Sequence, residues 1–433
     1  MDQQVFARRR QALLDQIGSQ AAALVTAAPE QIRNRDVHYP YRQNSDFLYL
    51  TGFNEPEAVL LLLPGGEDGE VILFCRDRDP ERETWDGRRA GPKGAVSDYG
   101  MDAAYVIDEF DERLPGLLSG RERVFHTLGE QGDFDDLLLQ CLHQLRSQNR
   151  SGVAVPTDIS ALDPLLHEMR LVKSTEEIEC MQMAANVSAT AHCRAMQICK
   201  PGLMEYQLAA EIHHEFERNG MQPAYGSIVG SGANGCILHY VENRDELSTG
   251  DLVLIDAGAE CEGYAADITR TFPVNGRFSD AQRAVYEIVL QAQLSAIEQA
   301  RAGKPYNAPH EAAVRVLVEG LVDIGLLKGK IDDLIKNEAY RRFYMHNTGH
   351  WRGMDVHDVG AYKINGQWRS LSAGMVISIE PGLYITAADD IDPAFHNIGI
   401  RIEDDVLITD AEPRVLTHAV PKSVADIEAL MAA

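Results

Sequence analysis

The chain has 433 residues, 45% of them apolar, enough to bury large cores in two or three soluble globular domains. Its 66 acidic residues against 40 basic ones give a formal charge of -26, which repels nucleic acid backbones and anionic membrane surfaces, so no nucleic acid and no membrane is expected as a partner. The seven cysteines (Cys75, Cys141, Cys180, Cys193, Cys199, Cys236, Cys261) are an odd number and include no CxxC pair; nothing suggests a disulfide scaffold or a thiolate zinc site, and a reducing, cytoplasmic home is expected.

Met1 to Gln20 holds Arg8, Arg9 and Arg10 and then a short amphipathic stretch. It lacks the apolar core and small-residue cleavage site of a signal peptide, and no later run is long and apolar enough to span a membrane. Up to about Glu168, short β-type runs such as Val59 to Leu63 and Val71 to Cys75, joined by Pro64-Gly65-Gly66, alternate with helical stretches. This predicts an N-terminal α/β domain over 1–170.

At Arg170-Leu171-Val172-Lys173 the character changes, and a second domain is expected over 171–433. Ser174 and Glu177 form a capping box that opens a long helix to Lys200, and a second helix runs from Glu205 to Asn219, stopped by Gly220. Strands are expected at Asp251 to Asp256 and Tyr264 to Phe272. A second round follows: the Ser279/Gln282 capping box, a helix near Glu311 to Gly320, and strands Met375 to Glu380 and Gly399 to Ile408. The fold class is therefore α+β, with a pseudo-twofold repeat of architecture in the second domain. Each round ends in two acids, Asp256 and Asp267, then Glu380 and Glu403, expected to converge on one central sheet.

Burying an ionised carboxylate is costly unless a cation compensates it. Four acids on core strands repel one another and raise their own pKa values, whereas two divalent cations keep them ionised. The plain alternative is buried ion pairing with Arg270, Arg401 or lysines, which stays open for any single acid. A loop with three histidines and two glycines, His346-Asn-Thr-Gly-His350-Trp-Arg-Gly-Met-Asp-Val-His357-Asp358, is poor core material. One imidazole and four carboxylates make a hard, oxygen-rich donor set that suits Mn2+, with Fe2+, Co2+ or Zn2+ possible. Metals about 3.5 to 4 Å apart lower the pKa of a shared water and clamp nucleophile and carbonyl oxygen, and the output is hydrolysis.

Gly230-Ser-Gly232-Ala-Asn-Gly235 matches the dinucleotide fingerprint literally, but no helix-forming stretch or βαβ unit follows it. It reads as a flexible turn bringing His239 to the site. His213-His214-Glu215 lacks the HExxH spacing and reads as helix surface.

At these residues the chain resembles the pita-bread (creatinase/aminopeptidase-like) metallopeptidases, and within them bacterial aminopeptidase P. The likeness extends to Tyr39-Pro-Tyr-Arg-Gln-Asn-Ser-Asp46, Thr51-Gly-Phe-Asn-Glu-Pro-Glu57 and His167-Glu-Met-Arg170. It implies a two-metal aminopeptidase that cleaves an N-terminal residue from proline through a metal-bridging hydroxide. Asp256 would bind one metal, His350 and Glu380 the other, and Asp267 and Glu403 both. Catalytic roles would fall to His239, His346 and His357, which hold substrate and stabilise the tetrahedral intermediate, to Glu380 as proton acceptor, and to Arg401, two residues before Glu403 on the same strand face. The family also implies a homotetramer in which Trp85 reaches a neighbour's active site, against the plain reading of Trp85 as core packing. Prolidase, which cleaves only dipeptides, is the nearer rival; a metal-free peptide-binding pseudoenzyme of the same fold is the more distant one.

Overall fold

The computed structural model describes residues 1–147 and 154–433. The chain divides into two compact units, Met1–Met169 and Arg170–Ala433. In the first, Val59–Leu62 and Val71–Cys75 pair antiparallel, with Val59 opposite Phe74 and Leu62 opposite Val71. Every side chain in both strands is buried, which is why they read as continuous apolar runs rather than alternating ones. They sit inside a six-stranded mixed sheet in the order Ala103–Val106, Val71–Cys75, Val59–Leu62, Ala21–Thr26, Arg123–Phe125, Asp158–Ser160. The amphipathic N-terminal stretch is the helix Gln3–Ile17, capped by Asp2. Two of its three arginines are buried: Arg9 and Arg10 donate to the carbonyls of Tyr49 and Leu50 at 3.0 Å each. Those carbonyls lie at the end of the helix Ser45–Thr51 and would otherwise lack donors for their lone pairs.

In the second unit both capping boxes form. Ser174 accepts from the Glu177 amide ahead of the helix Thr175–Ile198, and Ser279 accepts from the Gln282 amide ahead of Asp280–Gln299. The helix expected near Glu311 runs from Ala308 to Asp323, because Pro309 in its first turn needs no N–H partner there. The strand pairing repeats between the halves. Leu252–Asp256 pairs antiparallel with Thr269–Pro273, and Val376–Ile379 with Asp404–Leu407. Between them, Ala259–Cys261 pairs with Tyr264–Ala265, as Gly382–Ile385 does with Ile398–Arg401.

The strands depart from expectation in two ways. The acids do not share one sheet, since these ladders form separate two- and three-stranded sheets. The runs Tyr264 to Phe272 and Gly399 to Ile408 are each broken in two, at Asp267 and at Glu403. The reason is the same in each half: the backbone N–H leaves its own ladder for the other half. Asp267 donates to the Asp405 carboxylate at 2.9 Å and Glu403 to the Thr269 carbonyl at 3.0 Å. The breaks thus lock the two halves together and turn both acids toward the seam.

The Gly230–Gly235 segment is also not flexible. It ends in a one-turn helix, Gly232–Cys236, pinned by the fully buried Glu205 carboxylate. Glu205 accepts from the Ser231 amide at 2.7 Å, the Asn234 side chain at 3.1 Å and the Tyr240 hydroxyl at 2.8 Å. Gly235 further lies so close to Gly399 that a Cβ on Gly399 would come within 2.1 Å of the Gly235 carbonyl oxygen. The His213-His214-Glu215 stretch is only partly helix surface: His214 is exposed, but Glu215 is buried and His213 hydrogen-bonds Ser227 at 3.0 Å.

His192, fully buried on the helix Thr175–Ile198, donates from Nε2 to the Ala257 carbonyl at 2.9 Å, and its Nδ1 has no partner. Burial lowers its pKa to about 4. The folded pKa lies below the unfolded one, so the unfolded chain binds the extra proton between the two, and stability falls as pH drops from about 6.5 to about 4. A His192→Gln variant, which keeps the donor, is expected to lose that part of the slope, on the order of 3 kcal/mol at full extent. Urea unfolding of both proteins at pH 7 and pH 4.5 checks it; an unchanged slope would refute it.

Candidate metal centre

Asp256 closes the strand Leu252–Asp256, and Glu380 directly follows Val376–Ile379. With Asp267 and Glu403 at the two breaks, the four acids meet at one buried place. The histidine loop joins them because residues 348–352 run antiparallel beside Val376–Ile379: His350 N–H donates to Ser378 Oγ at 2.9 Å, Ser378 N–H to the His350 carbonyl at 2.9 Å, and Glu380 N–H to Thr348 at 2.7 Å. Gly349 is required at that approach, since a Cβ there would lie 1.9 Å from the Ser378 carbonyl oxygen.

Donor atoms of Asp267, His350 and Glu403 all lie within 4.8 Å of one another. His350 Nε2 is 3.6 Å from Asp267 Oδ2 and 3.5 Å from Glu380 Oε1. Its Nδ1 faces the Trp351 carbonyl at 3.1 Å, which can only accept, so Nδ1 carries the proton. Burial, then Arg352 and His357, lower the His350 pKa to about 3, keeping the ring neutral. A bare Nε2 lone pair therefore points at two carboxylate oxygens beyond hydrogen-bond distance, an arrangement that is repulsive unless a cation lies between them.

The acids say the same. Burial, against the opposing pull of Arg401 and Arg352 and with Asp267 and Asp256 adding to it, pushes Glu380 up to about 8. Burial followed by Asp267, Glu380 and Asp256 pushes Glu403 well above the carboxylate range, and burial raises Asp256. The ion-pair alternative is realised in part: Arg401 Nη2 contacts Asp256 Oδ2 at 2.6 Å and Arg352 Nη1 lies 3.3 Å from Asp267 Oδ2. Arg270 instead pairs with Asp404. Two guanidinium groups against four carboxylates leave the acids short of positive charge, so the donor set fits divalent cations.

Several partners of the cluster carry no signal that sequence reasoning used. The Tyr225 hydroxyl lies 2.6 Å from both Asp256 Oδ1 and Asp267 Oδ1. Thr269 donates to Glu403 Oε2 at 2.7 Å while accepting from Arg401 Nε at 3.1 Å. Arg401 Nη1 donates to the Tyr384 hydroxyl at 3.1 Å, and Tyr384 in turn meets His346 Nε2 at 2.8 Å. Since His346 Nδ1 faces the Asn347 carbonyl at 2.8 Å, Nε2 is the acceptor. Burial, then Arg401, lower its pKa to about 3.

His357 is exposed, its ring 4.3 Å from that of His350 and edge-on. His239 is exposed beyond the one-turn helix and makes no hydrogen bond among the described residues. Trp85 belongs to the first unit, on the helix Pro80–Asp86, and is 82% exposed, which excludes the core-packing reading.

Residues 179–410 match the model of metallopeptidase family M24, and residues 6–125 match that of the aminopeptidase P N-terminal domain. The chain is 49% identical over 437 residues to the Xaa-Pro aminopeptidase of Escherichia coli (strain K12), covering 100% of this chain and 98% of that one. It is 54% identical to the solved aminopeptidase PepP of Pseudomonas aeruginosa, with a TM-score of 0.98 over 100% of this chain and 98% of that one. The solved zinc-substituted Escherichia coli aminopeptidase P in complex with product matches at 48% identity and a TM-score of 0.97, over 100% and 98%.

Proposed function

The chain belongs to metallopeptidase family M24, with the N-terminal domain of aminopeptidase P, and from that premise we propose that it is a two-metal aminopeptidase releasing the N-terminal residue of peptides with proline second. The observation that carries the reading is the meeting of Asp256, Asp267, Glu380, Glu403 and a neutral His350 with its lone pair turned inward. A pseudoenzyme has no need of such a costly arrangement.

Asp256, Asp267, His350, Glu380 and Glu403 would hold the two ions, and the oxygen-rich set favours Mn2+. When bound, the pair acidifies water and polarises the scissile carbonyl. The chain's own residues do the rest. Arg401 orients Asp256 by charge and, through Tyr384, sets the His346 tautomer so that Nδ1–H is the donor. Glu380, between His346 and His350, is the proton acceptor, with Oε2 3.9 Å from His346 Nδ1. His239 and His357, both exposed, are placed to meet the peptide. The tertiary amide before proline has no N–H, so its recognition rests on shape and on donors to the carbonyl oxygen.

The exposed Trp85 fits a homotetramer in which it reaches a neighbour's site. The two domains would be 1–170 and 171–433. No helix among the described residues is long and apolar enough to cross a membrane, and the cysteines are free thiols, in keeping with the proposed cytoplasmic home. A substrate-length series tests the activity. With Mn2+ present, Xaa-Pro tripeptides are expected to lose their first residue, and chelation is expected to stop turnover until metal is restored. Hydrolysis of Gly-Pro alone would make the protein a prolidase instead, and no hydrolysis of either would refute the enzyme reading.

A further inference from the structure

A cavity of about 490 Å3 in the second unit lies among the first turn of Ala308–Asp323, the hairpin Lys363–Ile364/Gln367–Trp368 and the strand Val376–Ile379. That volume is within the range of small-molecule sites. Asn347, Thr348, Gly349 and His350 form one wall and none of the four carboxylates lines it, so the cavity adjoins the metal centre only through His350.

Its chemistry is specific in three respects. Tyr306, Tyr362 and Trp368 supply aromatic walls, with Tyr306 stacked on Trp368 at 6.0 Å and edge-on to Tyr362 at 4.8 Å, above the aliphatic Ile377 and Ile379. No Asp or Glu lines the cavity, although the chain has 66 of them, while Lys363 stands at its mouth with Nζ 4.2 Å from the Trp368 ring centre. The positive end of the helix Ala308–Asp323 also opens there, through Asn307, Pro309 and His310. Finally, the Asn307 Oδ1 atom is buried without a hydrogen-bond partner, an acceptor in want of a donor.

We propose that this cavity is a second binding site, for a planar aromatic carboxylate that carries an N–H or O–H on its ring system. The ring packs against the aromatic walls, the carboxylate pairs with Lys363 and the helix N-terminus, and the ring donor meets Asn307. The same group is presented by a free aromatic acid or by the C-terminal residue of a peptide.

Calorimetric titration with indole-3-acetate, against manganese-loaded and chelator-stripped protein, tests it. Saturable binding of equal strength in both is expected, weakened about tenfold or more by Lys363→Glu and by Trp368→Ala. Both residues lie on a surface hairpin, so the fold survives these changes. Indole, which lacks the carboxylate, is expected to bind about tenfold more weakly. N-acetyl-Ala-Ala-Trp, binding as well as the free acid, would identify a peptide terminus as the source; failure of the peptide alone would identify a free acid. No saturable binding up to millimolar concentration, binding that vanishes on metal stripping, or equal affinity for the Lys363→Glu variant would each overturn the proposal.

Discussion

Replacing Asp267 with Asn is expected to lower kcat/KM on an Xaa-Pro tripeptide by about a thousandfold or more, equivalent to about 4 kcal/mol of transition-state stabilisation. Asparagine keeps the size of Asp267, its backbone bond to Asp405 and its contact with Tyr225, but removes one of the four charges that would hold the two ions together. A merely structural aspartate would behave differently in the metal-free protein. There, Asp267 raises the pKa values of both Glu380 and Glu403, so its removal relieves repulsion. Metal-free Asp267→Asn is therefore expected to unfold at the same or a higher urea concentration than the metal-free wild type. Wild-type turnover in the variant, or marked destabilisation without metal, would contradict the assignment.

Arg270→Met is expected to cost about 3–5 kcal/mol of stability, because it leaves a buried acid short of its partner. Arg270 and Asp404 are both fully buried and meet at 2.7 Å. Lys422 at 2.7 Å, Thr417 at 2.7 Å and Gln293 at 2.8 Å complete the cage around the same carboxylate. Burial alone would raise the Asp404 pKa, but Arg270 and Lys422 overcome it and hold the group well below the usual range. A depressed carboxyl contributes stability that is complete above its unfolded pKa and fades only as pH falls through the folded value. In Arg270→Met the burial that raises the Asp404 pKa is opposed by Lys422 with no help from Arg270, so the variant's carboxyl takes up a proton at a higher pH than the wild type's; the penalty should be largest at neutral pH and shrink on acidification, and Asp404→Asn in the same chain should recover part of it. Urea unfolding at pH 7 and pH 4 measures both; a loss under about 1 kcal/mol at pH 7 would mean that Lys422 suffices.

Much of the site was legible because its cause is local and unusual. Acids ending apolar strands, as in Leu252-Val-Leu-Ile-Asp256 and Val376-Ile-Ser-Ile-Glu380, break a burial rule that sequence displays directly. Capping boxes at Ser174 and Ser279 are likewise written within four residues. What escaped depends on contacts distant in sequence. The strand breaks at Asp267 and Glu403 arise from hydrogen bonds to residues 138 and 134 positions away, so periodicity ran straight through them. Tyr225 lies between the short strand Gln222–Pro223 and the strand Ile228–Ser231, in Pro223-Ala-Tyr225-Gly, with nothing in its neighbours to mark it. Arg352 lies inside the histidine loop with no spacing to mark it, although its guanidinium reaches both Asp267 and Asp405. Glu205 looked like an ordinary first-turn acid, yet it fixes the glycine segment that precedes His239.

This buried negative charge exists to hold dications, and titration of chelator-stripped protein with Mn2+ measures that directly. Two ions per chain are predicted for the wild type, with fewer or far weaker binding in Asp267→Asn. Absence of stoichiometric binding, or a stoichiometry indifferent to that substitution, would contradict the account.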